Sequence, residues 1–170
     1  MHRVISSFIL FLLLTACQTL AQDSSSSASA TCNFDDEKQL VVQYQHIPFN
    51  LKKPLSSQVS FGKVWAPGGK PLTLFSNTPV QIGARTLAVG AYTMFVIPNS
   101  RQWTLIISKS TDMSGNYDEQ QDLVRIPMEA GELPSPESEF SVAFEHVGPG
   151  QCNIRMDLEK TGHFAMFQKR

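Results

Sequence analysis

Apolar and polar residues alternate with a period of two along most of the chain from Cys32 onward. Leu40, Val42 and Tyr44 alternate with Val41, Gln43 and Gln45, and Trp103, Leu105 and Ile107 with Thr104, Ile106 and Ser108. Phe140, Val142 and Phe144 alternate with Ser141, Ala143 and Glu145, and the cleanest run sets Ile154, Met156 and Leu158 against Asn153, Arg155, Asp157 and Glu159. Successive side chains of a strand point to opposite faces, so each run predicts a strand with one buried face. Leu72–Ser76 and Val80–Ile82 add two short strands. Residues 91–97 are apolar on both parities, which suits a central strand covered on both sides. Turn chemistry separates the runs: Pro67-Gly68-Gly69, Gly83-Ala84, Val89-Gly90, Pro98-Asn99, Gly115-Asn116 and Gly148-Pro149-Gly150. No window carries a helical repeat with caps. About seven to ten short strands therefore predict an all-β domain of two packed antiparallel sheets, a β-sandwich, with a small closed barrel as the alternative.

The first residues break this pattern. Met1, His2 and Arg3 make a short basic start, and residues 4–14 form an apolar run too short for a stable membrane span. Its end, Leu14-Thr15-Ala16-Cys17, resembles the lipobox of bacterial lipoproteins. That resemblance implies a diacylglycerol on the Cys17 thiol and cleavage just before it. Cleavage after Ala21 is the competing reading. Residues 22–31, rich in serine and alanine, lack apolar anchors, and residues 18–31 are expected to be a flexible linker. The expected organisation is a signal segment over 1–17, a linker over 18–31 and the sandwich over 32–170.

Cysteine counting fits export. Of three cysteines in 170 residues, an acylated Cys17 leaves Cys32 and Cys152, and an oxidising compartment favours their pairing. A metal is the poorer reading, since the chain has no Cys-x-x-Cys and no histidine spaced beside either cysteine. A net charge of −1 with no basic stripe argues against a nucleic-acid partner.

A run of motifs then narrows the family. Phe61-Gly62-Lys63-Val64-Trp65 is followed in order by Val80-x-Ile82-Gly83 and by Gly90-Ala91-Tyr92-Thr93-x-Phe95-x-Ile97-Pro98. Trp103-Thr104-x-Ile106, Asp122-Leu123-x-Arg125 and Glu159-Lys160-Thr161 complete the series. This series resembles the bacterial "domain of unknown function 2911" family over roughly residues 39–161. The resemblance implies a β-sandwich in exported proteins and no established activity. Family members usually continue Gly-Lys-Val-Trp with Arg-Thr-Gly-Ala-Asn-Glu, whereas this chain has Ala66-Pro67-Gly68-Gly69-Lys70-Pro71. His46 stands where an arginine is common. The polar residues that would make a family site are thus largely replaced.

Candidate chemistry is sparse. Ser60-x-x-Lys63, Ser114-x-Asn116 and Lys160-Thr161-Gly162 match the three motifs of penicillin-binding proteins in order. The glycines and prolines after Ser60 cannot hold the helix that such a nucleophile requires. His46, His146 and His163 could ligate a metal, but none shares a strand with another at i, i+2, and His146 is expected to be a rim histidine on the inward parity of its strand. Asp112, Asp118, Glu119 and Asp122 lack EF-hand spacing and are expected to form a solvated loop.

The expectation is an exported, lipid-anchored sandwich with a non-enzymatic binding or structural role and no cofactor. It would sit on the outer membrane as a lipoprotein facing the periplasm or cell surface, with a soluble periplasmic or secreted form as the alternative. Its membrane partner is reached through Cys17, and its ligand could be a small molecule, a sugar or a protein. A ligand surface is expected at His46, Lys63, Trp65 and Lys70, around the loop of residues 66–71. The competing reading is an enzyme with a polar cleft near Lys63, Trp65 and His46.

Overall fold

A computed structural model describes residues 27–34 and 36–170. The signal segment and Cys17 lie outside the described residues. Eleven strands follow one another: β1 Ser27–Asn33, β2 Gln39–Gln45, β3 Ile47–Pro48, β4 Leu72–Ser76, β5 Val80–Ile82 and β6 Arg85–Leu87, then β7 Gly90–Ile97, β8 Thr104–Ser108, β9 Asp122–Pro127, β10 Glu129–Gly148 and β11 Gln151–Lys169. They form two antiparallel sheets, β1-β2-β4-β7-β8-β9 and β3-β10-β11-β5-β6. The architecture is an all-β sandwich rather than a closed barrel. Three short 3-10 turns, Leu55–Ser57, Pro67–Gly69 and Glu119–Gln121, are the helical pieces among the described residues.

The alternating residues meet in the middle. Leu40, Val42, Leu74, Met94, Leu105 and Ile107 from the first sheet close over Phe140, Ile154, Met156 and Phe167 from the second, all essentially without solvent contact. Fully burying one such side chain contributes about 1.5–3 kcal/mol, so a one-residue slip of a strand with one buried face would expose its whole contribution. β7 lies between β4 and β8 and is buried on both faces, as its double apolar parity predicts. Its outward Phe95 is covered by the Tyr117 ring at 5.2 Å.

β11 does not run straight. A 19-residue strand at about 3.3 Å per residue would separate its ends by roughly 60 Å. Instead the Lys169 N–H donates to the Gly150 carbonyl at 2.7 Å, and Gln151 Nε2 donates to Gln168 Oε1 at 2.5 Å. β11 therefore doubles back on itself. The fold is at Glu159, whose φ of 55° lies in the left-handed region. Beyond the tip, a Cβ on Gly162 would lie 2.8 Å from Asp157 Oδ1, so a side chain there would have to displace the Asp157 carboxylate. β10 follows both limbs, with register shifts between Glu132 and Glu137 and between Glu137 and Ser141. Pro134 and Pro136 occupy the displaced stretch, where no ladder donor is needed.

Two expectations change. The expected linker extends through residue 31, but β1 begins at Ser27 and pairs with β2 from Ser27↔Gln45 to Asn33↔Gln39. Small side chains half-bury one face of β1 without the apolar contrast that makes a strand visible in sequence. The strands also number eleven, above the expected seven to ten, and two of them are long.

Candidate functional site

The inward parity of two strands meets at one end of the sandwich. Trp103, just before β8, continues the Leu105 and Ile107 face, and His163 continues the Ala165 and Phe167 face of β11. Their rings stack at 4.3 Å and 13°. Both are buried, at 1 % and 5 % exposure. They line a cleft of about 270 Å³ with Phe61, Leu158, Ser56, Asn99, Ser100, Arg101, Glu159 and Thr161. The walls thus combine an aromatic floor, a rim of hydroxyls and an amide, and one charge of each sign.

Backbone geometry fixes these walls. Gly62, with φ at 72°, donates its N–H to the Pro98 carbonyl at 2.9 Å, while Trp65 bridges Val96 through bonds of 2.8 and 3.1 Å. The segment from Phe61 to Trp65 is thereby clamped along the end of β7, with Phe61 delivered to the cleft. The tight fold at Glu159 delivers Glu159 and Thr161 from the opposite side.

His163 is the unusual group. Its Nδ1 is cut off from solvent and has no hydrogen-bond partner among the described residues. An orphaned N–H costs more than an orphaned lone pair, so the neutral ring carries its proton on Nε2. His163 is among the residues that line the cleft. Burial disfavours the imidazolium and lowers the pKa to about 4, so the ring is neutral at physiological pH. What it offers a ligand is one N–H donor above a tryptophan.

The expected ligand surface is distributed differently. Trp65 packs edge-on against Trp103, Phe140 and Phe49, at 6.0, 5.4 and 6.2 Å between ring centroids, and is half-buried against the core. His46 sits 5.2 Å from the Tyr44 ring and faces Glu139 across 3.4 Å, without hydrogen-bond geometry. Lys63 is exposed, with no ion pair or hydrogen bond among the described residues. Of the four, Lys70 alone lines a groove of about 110 Å³, beside Pro67, Tyr44 and Met113. Ser60 lies in a turn region rather than on a helix.

Other polar groups have structural duties. Arg125 donates to Asp122 at 2.8 Å, to Glu119 at 2.9 Å and to the Tyr117 hydroxyl at 2.5 Å, holding the preceding loop over Phe95. Burial, then the hydrogen bond to Asp122, pushes the Tyr117 pKa up to about 12. Asp112 and Asp118 accept backbone N–H bonds within the loop. Asp157 is buried beside Arg155, and burial raises its pKa. A hollow of about 710 Å³ lies along β11 and β5, with Glu129 as its one charged lining residue among those described.

The cysteines do meet. Cys32 and Cys152 form a disulfide with Cα atoms 6.5 Å apart and a sequence separation of 120. His146, six residues before Cys152 in sequence, is paired directly opposite it by the β10–β11 ladder. The His146 Nδ1 lies 3.6 Å from the Cys152 sulfur.

His163 could have been found by extending the β11 alternation through Ala165 and Phe167. The Lys160-Thr161-Gly162 motif and its glycine hide that continuation. No curated protein and no solved structure gives a significant match. The family described as "protein of unknown function (DUF2911)" matches residues 25–165, and the chain belongs to it.

Proposed function

We propose that the chain is an exported, lipid-anchored binding module of the bacterial envelope that holds a small, polar, uncharged ligand in the Trp103–His163 cleft. The observation that carries this reading is the buried His163, whose Nδ1 has no partner among the described residues, stacked on a tryptophan in the lining of a cleft. Three stretches that follow the family pattern supply cleft residues: Phe61 from the first, Trp103 from the fourth, and Glu159 and Thr161 from the last. A built cleft with few, placed polar groups is the usual form of a small-molecule site. Binding is favoured over turnover because a general base works best with a pKa near the operating pH, whereas His163 is at about 4.

Export and anchoring rest on the lipobox-like Leu14-Thr15-Ala16-Cys17 and on a pairing of Cys32 with Cys152 that suits an oxidising compartment. Gln18 lacks the aspartate that resembles an inner-membrane retention signal, so the outer membrane is the proposed location. Intact mass of the mature protein tests the anchor. A diacylglycerol on an N-terminal Cys17 is expected, and a soluble form beginning at Gln22 would refute it.

The cleft is tested by a thermal-shift screen of neutral sugars, nucleosides and amides against the wild type and His163→Phe, which keeps the stacked ring and loses the donor. A ligand at about a hundred times its Kd stabilises by about 2.7 kcal/mol. The wild type should show that shift and the variant should not. A compound that shifts both equally binds elsewhere and removes the cleft from the proposal.

A further inference from the structure

At the far end of the same β11 limb, three metal-ligating side chains converge. The Cys32 sulfur, the Cys152 sulfur and a ring nitrogen of His146 all lie within 4.8 Å of one another. We infer that the thiol form of this trio is a zinc site, so that the same two cysteines hold either a disulfide or a divalent metal.

The geometry is close to what zinc asks for. Tetrahedral ligation with Zn–S near 2.3 Å and Zn–N near 2.0 Å puts sulfurs about 3.8 Å apart and a nitrogen about 3.5 Å from each sulfur. The His146 Nδ1 already stands 3.6 Å from Cys152 Sγ. Opening the sulfurs to about 3.8 Å is a separation that Cα atoms 6.5 Å apart accommodate by side-chain rotation.

The sulfur positions do not depend on the bond alone. Cys32 is held by seven paired positions between β1 and β2, and Cys152 by the β10–β11 ladder in which it faces His146. Charge selects the metal. Both cysteines are fully buried in the core, so two thiolates with a divalent ion make a neutral unit, whereas a monovalent ion would leave a net negative charge among apolar side chains. His146 is exposed, which gives the ion an entry path and leaves its fourth position to water.

The chemistry balances without an unnamed reagent. A newly made chain already carries two thiols, and zinc displaces one proton from each on binding. From the disulfide, a dithiol reductant supplies two electrons and two protons, its own sulfurs joining as the protein's S–S bond breaks. The two thiols then bind zinc as above.

The experiment reduces the purified mature domain with a phosphine, removes excess reagent under nitrogen and titrates Co(II), a coloured stand-in for zinc. One cobalt per chain is expected, with sulfur-to-cobalt charge-transfer absorption, tetrahedral visible bands and displacement by zinc. The oxidised protein should show none of these. His146→Ala should weaken binding by at least about tenfold. A folded, reduced wild type without charge-transfer absorption overturns the inference, as does equal affinity in the variant. If reduction unfolds the chain, circular dichroism decides. Zinc should restore the strand signal of the reduced wild type, and failure to do so refutes the site.

Discussion

His146 and His163 occupy opposite ends of the second sheet, and both sit on inward-facing parities of their strands. The β11 limb from Cys152 to Leu158 separates the two ends by roughly 20 Å at about 3.3 Å per residue. Their environments diverge completely. His146 is exposed beside a sulfur, while His163 is buried against an indole, and one of its ring nitrogens has no partner among the described residues. Parity places a side chain on a face, but depth sets its chemistry. At the sulfur end the sandwich is tied shut by a covalent link. At the indole end it is left open as a cleft, held by packing and by the backbone bonds of Gly62 and Trp65 rather than by a covalent link.

The sharpest way to break the contrast is to cut the tie. A double Cys32→Ala, Cys152→Ala variant releases a loop of 120 residues, which the chain-entropy relation values at about 5 kcal/mol. Urea unfolding should show a loss near that size. A loss below about 1 kcal/mol would mean that the sulfur end is held by its strands alone.

Next comes the packed end. Trp103→Ala removes a fully buried indole and should cost about 3–5 kcal/mol by the same measurement. A cost near zero would show that the cleft floor is not part of the core.

The third test is pH. His163 has a pKa of about 4 in the folded protein against 6.5 for an unperturbed histidine, so between these values the unfolded chain binds more protons. Stability therefore rises with pH across that window, and about 3 kcal/mol is lost as pH falls from about 6.5 to about 4. Asp157, whose pKa is raised by burial, holds its proton longer when folded and offsets part of that loss at the acid end. His163→Phe should flatten the slope. An unchanged slope would assign it to other groups.

The smallest effect is expected at the exposed histidine. In the oxidised protein, His146→Ala should change stability by less than about 0.5 kcal/mol. A larger loss would give His146 a packing role that its exposure does not suggest.

Legibility in the sequence follows contrast. β4 and β5 match their apolar runs residue for residue, and β7 shows its central place by being apolar on both parities. β1 hides because Ser27, Ala28, Ser29 and Ala30 alternate in burial but hardly in polarity. The first half of β10 hides behind Pro134 and Pro136, residues that ordinarily demote a strand. The fold-back in β11 hides because a glutamate rather than a glycine takes the positive φ.

The cleft is illegible for a related reason. Its members come from three separated stretches, around Ser56 to Phe61, Asn99 to Trp103 and Leu158 to His163, and no spacing rule joins them. Lys63 and Trp65 draw attention as a motif. The structure shows that motif clamping the end of β7, so the pattern reports an architectural clasp as well as the position of Phe61.

The early start of β1 sets how far the domain can stand from a bilayer. With a lipid on Cys17, as proposed, ten residue steps lead to Ser27, the first of the described residues in the sheet. Fully extended, they reach at most about 36 Å. Had the sheet begun at Cys32, five more steps would have raised that ceiling by about half. The anchored domain would thus patrol a shallow layer next to its membrane, and any ligand or partner would have to come within that altitude to be captured.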